Sequence, residues 1–535
     1  MAQEGRFILR ELCRYKIGTF ADIILRNALL RPNEEAFVYG KERITFRQYN
    51  QRVNSLIHAL RDKGVRKGEV VGALSWNCLE YADVYGTCQK GGLIASPFNP
   101  RLSSEELEYL VNDSGAVALF VGPELVEMAN SLRPKIPQVK HFISLERPAP
   151  GMEFHAELLD RYPGDEPDVQ VEEDDPVCIF YTSGTTGAPR GALYTHRRSM
   201  ENTRSMIIEI ALEPGDKNLQ IMPFFHVGGA AWWMAFFFIG GCNVILKQFD
   251  PAATLHAIQA EKATDIHIVP THLVAMLALP DFDKYDISSL KRMFYAASPM
   301  PVELLKRAMK VWGPIFFQGY GQTESGPTIS FLRKESHKVL DKSAEEQTIL
   351  SSCGRLAVGV QGRIVDDKGD DVPPGEVGEI KVRSKQIMVE YWHKPVETAG
   401  AIEEGWLQTG DMGYYDENGY IYIVDRKKDM IISGGENIYP REVEEVLYRH
   451  RAVLEATVFG IPDPVWVESV HAVVTLRQGA RATPEEIIVF CKENLARYKA
   501  PKSVEFADSL PKNPAGKILK RELREKYWAG MGRSI

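Results

Sequence analysis

The sequence predicts an α/β protein with large parallel sheets, followed by a smaller α+β unit at its C-terminal end. Three observations carry this. Strand-like and helix-like patterns alternate through the first part of the chain, and many of the strand-like runs are apolar throughout rather than at every second residue. After about Asp425 the pattern changes character. Continuous apolar strands separated by helices belong to sheets covered on both faces.

The elements follow in order. Glu69-Val-Val-Gly-Ala-Leu74 reads as a strand, residues 78–89 as a helix, and Leu93-Ile-Ala-Ser96 as the next strand. Ser103-Ser104 with Glu105-Glu106 marks a capped helix start, and Ala116-Val-Ala-Leu-Phe-Val121 is another buried strand. Residues 147–176, rich in proline, glycine and acidic side chains, form a loop or joint, and residues 333–347 form a second polar break. Beyond residue 425, Pro440 opens a helix, residues 453–459 and 470–476 read as strands, and Thr483-Pro-Glu-Glu opens a second helix. That last stretch is long enough to fold as a domain of its own.

Length and composition bound the function. At 535 residues two or more folded units are expected. The net charge of -8, from 64 basic and 72 acidic residues, leaves no strong positive field for nucleic acid. Seven cysteines are scattered without a C-x-x-C pair, and the N-terminus has no signal-like apolar run, so a cytoplasmic setting is expected. Residues 227–246 carry no charge and are long enough to span a bilayer. Glycine pairs at Gly228-Gly229 and Gly240-Gly241 interrupt them, so they read as helix, turn and strand in a large core, with no integral membrane segment. Composition leaves a homo-oligomer open.

One loop stands out. The strand Val177-Cys-Ile-Phe180 runs into Tyr181-Thr182-Ser183-Gly184-Thr185-Thr186-Gly187-Ala188-Pro189-Arg190-Gly191. Glycines let backbone N–H groups turn toward an anion, and hydroxyls and a guanidinium add donors. The spacing is not that of a Walker A loop. An ordinary surface loop has the same composition, so composition alone decides nothing; the order of the loop's residues and of the motifs after it does.

The order of further motifs decides it. Downstream lie Pro223-Phe-Phe-His226, Tyr295-Ala-Ala-Ser-Pro-Met300, Gln318-Gly-Tyr-Gly-Gln-Thr-Glu324, Gly375-Glu-Val-Gly-Glu379, Thr409-Gly-Asp411, Asp425-Arg-Lys-Lys-Asp429, Ser433-Gly-Gly-Glu-Asn-Ile-Tyr-Pro440 and Pro511-Lys-Asn-Pro-Ala-Gly-Lys517. With the loop they resemble the core motifs of the adenylate-forming superfamily, which includes acyl-CoA synthetases. The resemblance spans most of the chain. It implies residues 1–425 as an N-terminal part of α/β subdomains plus a small β-barrel-like piece, a hinge at 426–429, and a small mobile C-terminal domain over 430–535.

The resemblance also implies a reaction and its residues. A carboxylic acid reacts with ATP to give acyl-AMP, and coenzyme A then takes the acyl group. Thr182, Ser183, Gly184, Thr185, Thr186, Gly187 and Arg190 would face the phosphates, with Arg190 standing where lysine is usual. Ala297, Ser298, Pro299, Gly319, Tyr320, Gly321, Gln322 and Thr323 would surround adenine, and Asp411 with Arg426 the ribose. Glu324 and Thr182 would hold Mg2+, which suits an ion that takes few protein ligands. Lys517 would stabilise the charge developing during adenylation, Lys428 would be the pivot, and Gly434 and Gly435 would pass the arm of coenzyme A. The basic residues Lys520, Arg521 and Arg524 suit a solvated helix.

His226 resembles the family histidine near the acid, and Ala230 stands where long-chain members carry an aromatic gate. Trp232, Trp233 and residues 236–238 either line the acyl pocket or belong to the core. Val467 stands where a glycine is common. A medium- or long-chain fatty acid is the first expectation for the substrate, with an aromatic or alicyclic acid next. Alternatives are an enzyme loading a carrier protein, a luciferase-like oxygenase, and a non-catalytic nucleotide-binding homologue, the last suggested by Arg190.

Overall fold

A computed structural model describes residues 17–182, 188–298, 300–427, 429–433, 436–512 and 517–528. Two large sheets carry the N-terminal part. One has seven strands, in the order Glu153–Phe154, His141–Ser144, Ala118–Val121, Val70–Leu74, Ile94–Phe98, Pro176–Thr182 and Arg190–Thr195. All its pairings are parallel except the last, which is antiparallel. Val70–Leu74 and Ala118–Val121 are buried at every position, as their unbroken apolar runs predict. The other sheet has nine strands, parallel through its middle and antiparallel at both edges.

Most predicted element boundaries hold to within a few residues, but residues 147–176, expected as a loop or joint, include the strand Glu153–Phe154 and the helix His155–Arg161. The helix Ser104–Ser114 starts on a capping box between Ser103 and Glu106, and Pro484–Asn494 starts on another between Thr483 and Glu486. Residues 227–246 resolve into the helix Val227–Ile239, a left-handed turn at Gly240 with φ of 79°, and the strand Cys242–Ile245. Among the described residues no helix is long and apolar enough to cross a membrane.

A buried asparagine joins the two sheets at the place that matters for the site. Asn77 is 2% exposed, accepts from the Phe224 amide at 2.8 Å and donates to the Met222 and Leu246 carbonyls at 3.0 and 3.2 Å. Tyr85 adds a bond from its hydroxyl to the Phe224 carbonyl at 2.6 Å. These bonds fix the segment leading into His226 against the helix Leu79–Gly91.

A third, antiparallel sheet of five strands includes Val360–Val365, Gly378–Ser384, Trp406–Tyr415 and Ile421–Arg426. The C-terminal sheet is built around the hairpin of Val453–Asp463 and Val467–Leu476. It has its own apolar core, which includes Val443, Leu447, Val458, Val474 and Ile487. Six cysteines fall among the described residues; all are buried and unpaired.

Candidate active site

The loop that opens the motif series is flanked by two paired strands. Pro176–Thr182 and Arg190–Thr195 pair antiparallel with Thr182 opposite Arg190, and Thr182 Oγ1 donates to the Arg190 carbonyl at 3.4 Å. Ser183, Gly184, Thr185, Thr186 and Gly187 lie outside the described residues. The base of the hairpin is tied down where the Tyr181 hydroxyl donates to Asp113 Oδ2 at 2.8 Å and Lys394 Nζ meets Asp113 Oδ1 at 2.9 Å.

Arg190 turns its guanidinium over the ring of Tyr391, with its central carbon 4.9 Å from the ring centre. A planar guanidinium stacks on an aromatic face better than an ammonium does, which gives the arginine a physical reason here. The same tyrosine donates its hydroxyl to Glu324 Oε1 at 2.8 Å. Burial first, and then the charge of Glu324, push the Tyr391 phenol well above its ordinary range, so it stays a donor. Glu324 sits in the short turn Thr323–Ser325, and the Tyr194 hydroxyl, from the strand after the loop, holds that turn through the Thr323 carbonyl. Arg190, Tyr391, Glu324 and Thr323 therefore form one cluster. Neither Tyr391 nor Tyr194 was singled out by the sequence motifs.

The adenine motifs are shaped by close packing. Ala297 holds φ at 69°, unusual for a residue with a side chain. At Gly321 a Cβ would stand 2.0 Å from the Pro327 carbonyl oxygen, so the backbone there leaves room for glycine alone. Gly319 lies under Phe294, and Ser298 follows Ala297 in the same bend, while Pro299 lies outside the described residues. Gln322 Nε2 donates to the Thr409 carbonyl at 3.0 Å, which links these motifs to the turn bearing Asp411.

Asp411 is the meeting point. Its Oδ2 accepts from the Tyr320 hydroxyl at 2.7 Å, its Oδ1 faces Arg426 Nε at 3.1 Å, and its own amide donates to Thr409 Oγ1 at 3.1 Å. Burial works against the Arg426 charge; the facing Asp411 carboxylate overrides it and holds the guanidinium above its ordinary value. Asp425, raised by burial, accepts from the Arg426 and Arg441 amides at 2.7 and 3.0 Å. Lys428 lies outside the described residues, between these anchors and Asp429.

The helix Lys520–Trp528 corrects one expectation. Lys520 is not solvated: it pairs with Glu444 at 2.9 Å, and although burial opposes its charge, Glu444, Asp425 and Asp429 raise it. Arg524 reaches Asp429 at 3.7 Å, and of the three only Arg521 is mainly exposed, pairing with Glu525 at 3.1 Å. The acidic partners come from segments distant in sequence, which a local reading of charge does not see. Lys517 is half-buried just before this helix, next to Ile518, which pairs with Lys512. Gly434 and Gly435 lie outside the described residues; the strands on either side of them in sequence, Ile431–Ser433 and Glu436–Ile438, pair antiparallel.

His226 caps the helix Val227–Ile239, and its Nδ1 accepts from the Gly228 amide at 3.1 Å. Burial lowers its pKa to about 4, so the ring is neutral at pH 7 and Nε2 carries the proton. Beside this helix lies a narrow apolar cleft, partly open to solvent, whose wall includes Val227, Ala230, Ala231 and Met234. These share one helical face at i, i+3, i+4 and i+7. Trp232, Trp233, Phe236 and Phe237 point elsewhere into the core. Tyr194, Gly326 and Pro327 also line the cavity, so it abuts the Glu324 turn.

Comparison with known proteins accounts for this arrangement. The chain matches the model of the AMP-binding enzyme family over residues 24–392 and that of the AMP-binding enzyme C-terminal domain over residues 442–517. It is 36% identical over 506 residues to a feruloyl-CoA synthase of Amycolatopsis sp, covering 94% of this chain and 98% of that protein. It is 34% identical over 528 residues to a medium/long-chain-fatty-acid–CoA ligase of Mycobacterium tuberculosis, covering 96% and 91%. Among solved structures, an anthranilate CoA ligase in complex with anthranoyl-AMP superposes with a TM-score of 0.88 at 28% identity, covering 96% of this chain and 98% of the other. Matched in both its parts and along nearly its whole length, the chain belongs to the AMP-binding enzyme family.

Proposed function

We propose that the protein is an AMP-forming acid–thiol ligase that activates a carboxylic acid with ATP and transfers it to coenzyme A. The observation that carries this is an adjacency: the apolar cleft and the Glu324–Tyr391–Arg190 cluster meet at Tyr194. An acid lying in the cavity would present its carboxylate where the nucleotide's phosphates are bound.

In the first step a carboxylate oxygen attacks the α-phosphorus, the bond to the bridging oxygen breaks, and pyrophosphate leaves with the electron pair. Arg190 and the loop at 183–187 would hold the phosphates. Ala297, Ser298, Pro299, Gly319, Tyr320, Gly321, Gln322 and Thr323 would enclose adenine. Asp411 already engages Tyr320 and Arg426, but carboxylate oxygens have lone pairs enough to accept ribose hydroxyls as well. His226, neutral with Nε2–H as donor, would steady the acid, and Lys517 would stabilise the charge passing to pyrophosphate.

Among the described residues no three His, Cys, Asp or Glu side chains cluster as metal ligands. Glu324, with Oε2 outside its bond to Tyr391, together with Thr182 fits an ion that takes few protein ligands. Mg2+ there would neutralise phosphate charge. In the second step the thiol of coenzyme A adds to the acyl carbon and loses its proton as AMP departs. We place the N-terminal domain at residues 1–425, a pivot at 426–429 around Lys428, and the mobile domain at 430–535, with Gly434 and Gly435 beside the thiol's path.

The test is direct. Purified protein with ATP, Mg2+, coenzyme A and a panel of short, long, aromatic and alicyclic acids is expected to yield AMP, pyrophosphate and one acyl-CoA in equal amounts. AMP formation that never depends on an added acid would sink the reading.

A further inference from the structure

Two sets of contacts hold the segment that carries Lys517, and they differ in which part of the chain supplies them. In the first set, Leu519 donates its amide to the Pro511 carbonyl at 2.8 Å and Ile518 pairs with Lys512. The helix Lys520–Trp528 then lays Leu523 and Tyr527 against Phe459, Val473 and Leu510, and Trp528 Nε1 donates to the Gly460 carbonyl at 3.0 Å. All these partners lie beyond residue 430, so this set stays intact however the C-terminal domain turns.

The second set is made by Lys520 and Arg524, which stand one turn apart at i and i+4 and form the next row on the same helix. Lys520 Nζ meets Glu444 Oε1 at 2.9 Å, with side chains 20% and 15% exposed. The same oxygen accepts from the Val458 amide at 2.8 Å, so backbone fixes the carboxylate that receives the lysine. Arg524 reaches Asp429 at 3.7 Å. The Lys520 charge also acts on Asp425, where it opposes the upward push of burial. Asp425 differs from the other acids. It lies on the strand Ile421–Arg426, ahead of the proposed pivot, is 9% exposed, and precedes Arg426, whose guanidinium faces Asp411. Lys520 thus stands three residues from Lys517 and between an acid of the C-terminal part and an acid of the N-terminal part.

We infer that Lys520 is a positioning residue for the first half-reaction: its ion pair with Glu444 and its attraction to Asp425 set the start of the helix, and with it Lys517, against the N-terminal part while ATP and the acid react. This rests on the ligase reading above. Asp425 and Glu444 are like charges that act on each other, and removing the cation between them leaves their repulsion to push the two parts of the chain apart. A displacement of about 1 Å at a group that acts by position can cost about 10²-fold in rate. The second half-reaction makes no use of Lys517 and does not need Lys520.

The experiment follows each half-reaction in the full chain with Mg2+. Adenylation is read as ATP–pyrophosphate exchange with the acid best used in the panel above, and transfer as acyl-CoA formation from the preformed acyl-AMP of that acid. Lys520→Gln is expected to slow exchange about tenfold, in kcat rather than in KM for the acid, and to leave transfer within about twofold. A merely structural role would slow both steps alike. Lys520→Arg keeps the charge and is expected to recover most of the exchange rate. Asp425→Asn is expected to show the same split, should Lys520→Gln fold poorly. Equal slowing of both steps, unchanged exchange in folded Lys520→Gln, or Lys520→Arg no faster than Lys520→Gln would overturn the inference. Absence of AMP from the wild type with every acid in that panel would instead remove the ligase reading, and the inference with it.

Discussion

Tyr391 donates a hydrogen bond to Glu324 at 2.8 Å while its ring lies under the guanidinium of Arg190. One side chain thus touches both the cation at the edge of the candidate phosphate loop and the carboxylate proposed for the metal. Replacing it by phenylalanine keeps the stacking and removes only the hydroxyl. A hydrogen bond to a charged group contributes about 1.5–3 kcal/mol, so Tyr391→Phe should lower kcat/KM by about tenfold or more. The apparent Mg2+ requirement should rise while the melting temperature changes little. Titrating Mg2+ against initial rate checks this, and an unchanged Mg2+ requirement would separate Tyr391 from the metal.

Lys517 separates the two half-reactions. Lys517→Ala should slow acyl-AMP formation by about 10²-fold, the scale of a lost charge-stabilising donor. Transfer from supplied acyl-AMP to coenzyme A should persist. Single-turnover assays of each step give the comparison, and equal loss in both would remove the lysine from its proposed role.

Buried histidines predict an acid weakness. His196, His267 and His337 are buried, and desolvation lowers their pKa values to about 4, 3 and 4. Unfolded, each would titrate near 6.5. Between those values the unfolded chain binds more protons, so stability is full above about pH 6.5 and falls as pH drops toward 4. Each such group contributes about 1.4 kcal/mol per pH unit in that window. Urea midpoints should fall steadily from pH 7 to pH 5, and midpoints flat over that range would contradict the assignment.

Val467 carries a backbone conformation that suits another residue. Its φ is 72°, it is 62% exposed, and it pairs with Ser433. A β-branched side chain at positive φ is strained by about 1–2 kcal/mol. Val467→Gly should therefore raise stability by about 1 kcal/mol, less what glycine loses in the unfolded chain. Denaturant unfolding that follows the C-terminal domain would show it.

Local chemistry was legible in the sequence and remote pairing was not. Ser103 with Glu106, and Thr483 with Glu486, announce their helices because a capping box is complete within four residues. Gly240 splits an apolar run because a left-handed turn must follow the helix. The motif series located Glu324, Tyr320, Asp411 and Arg426, and folding brings Tyr320 and Arg426 onto Asp411. Tyr391 was invisible, since its partners lie 67 residues away at Glu324 and further still at Arg190. Lys520 was misread for the same reason: its acids, Glu444 and Asp425, come from other elements.

The cavity-lining face of the helix Val227–Ile239 works as a graduated scale. Its marks are Val227, Ala230 with Ala231, and Met234, and the small residues in the middle leave the gauge open past its first division. A bulky side chain at Ala230 would stop a guest about 6 Å short of one admitted as far as Met234. With the acid placed in this cleft as proposed, substrate size would be reset one helical turn at a time, without touching the residues proposed for the nucleotide.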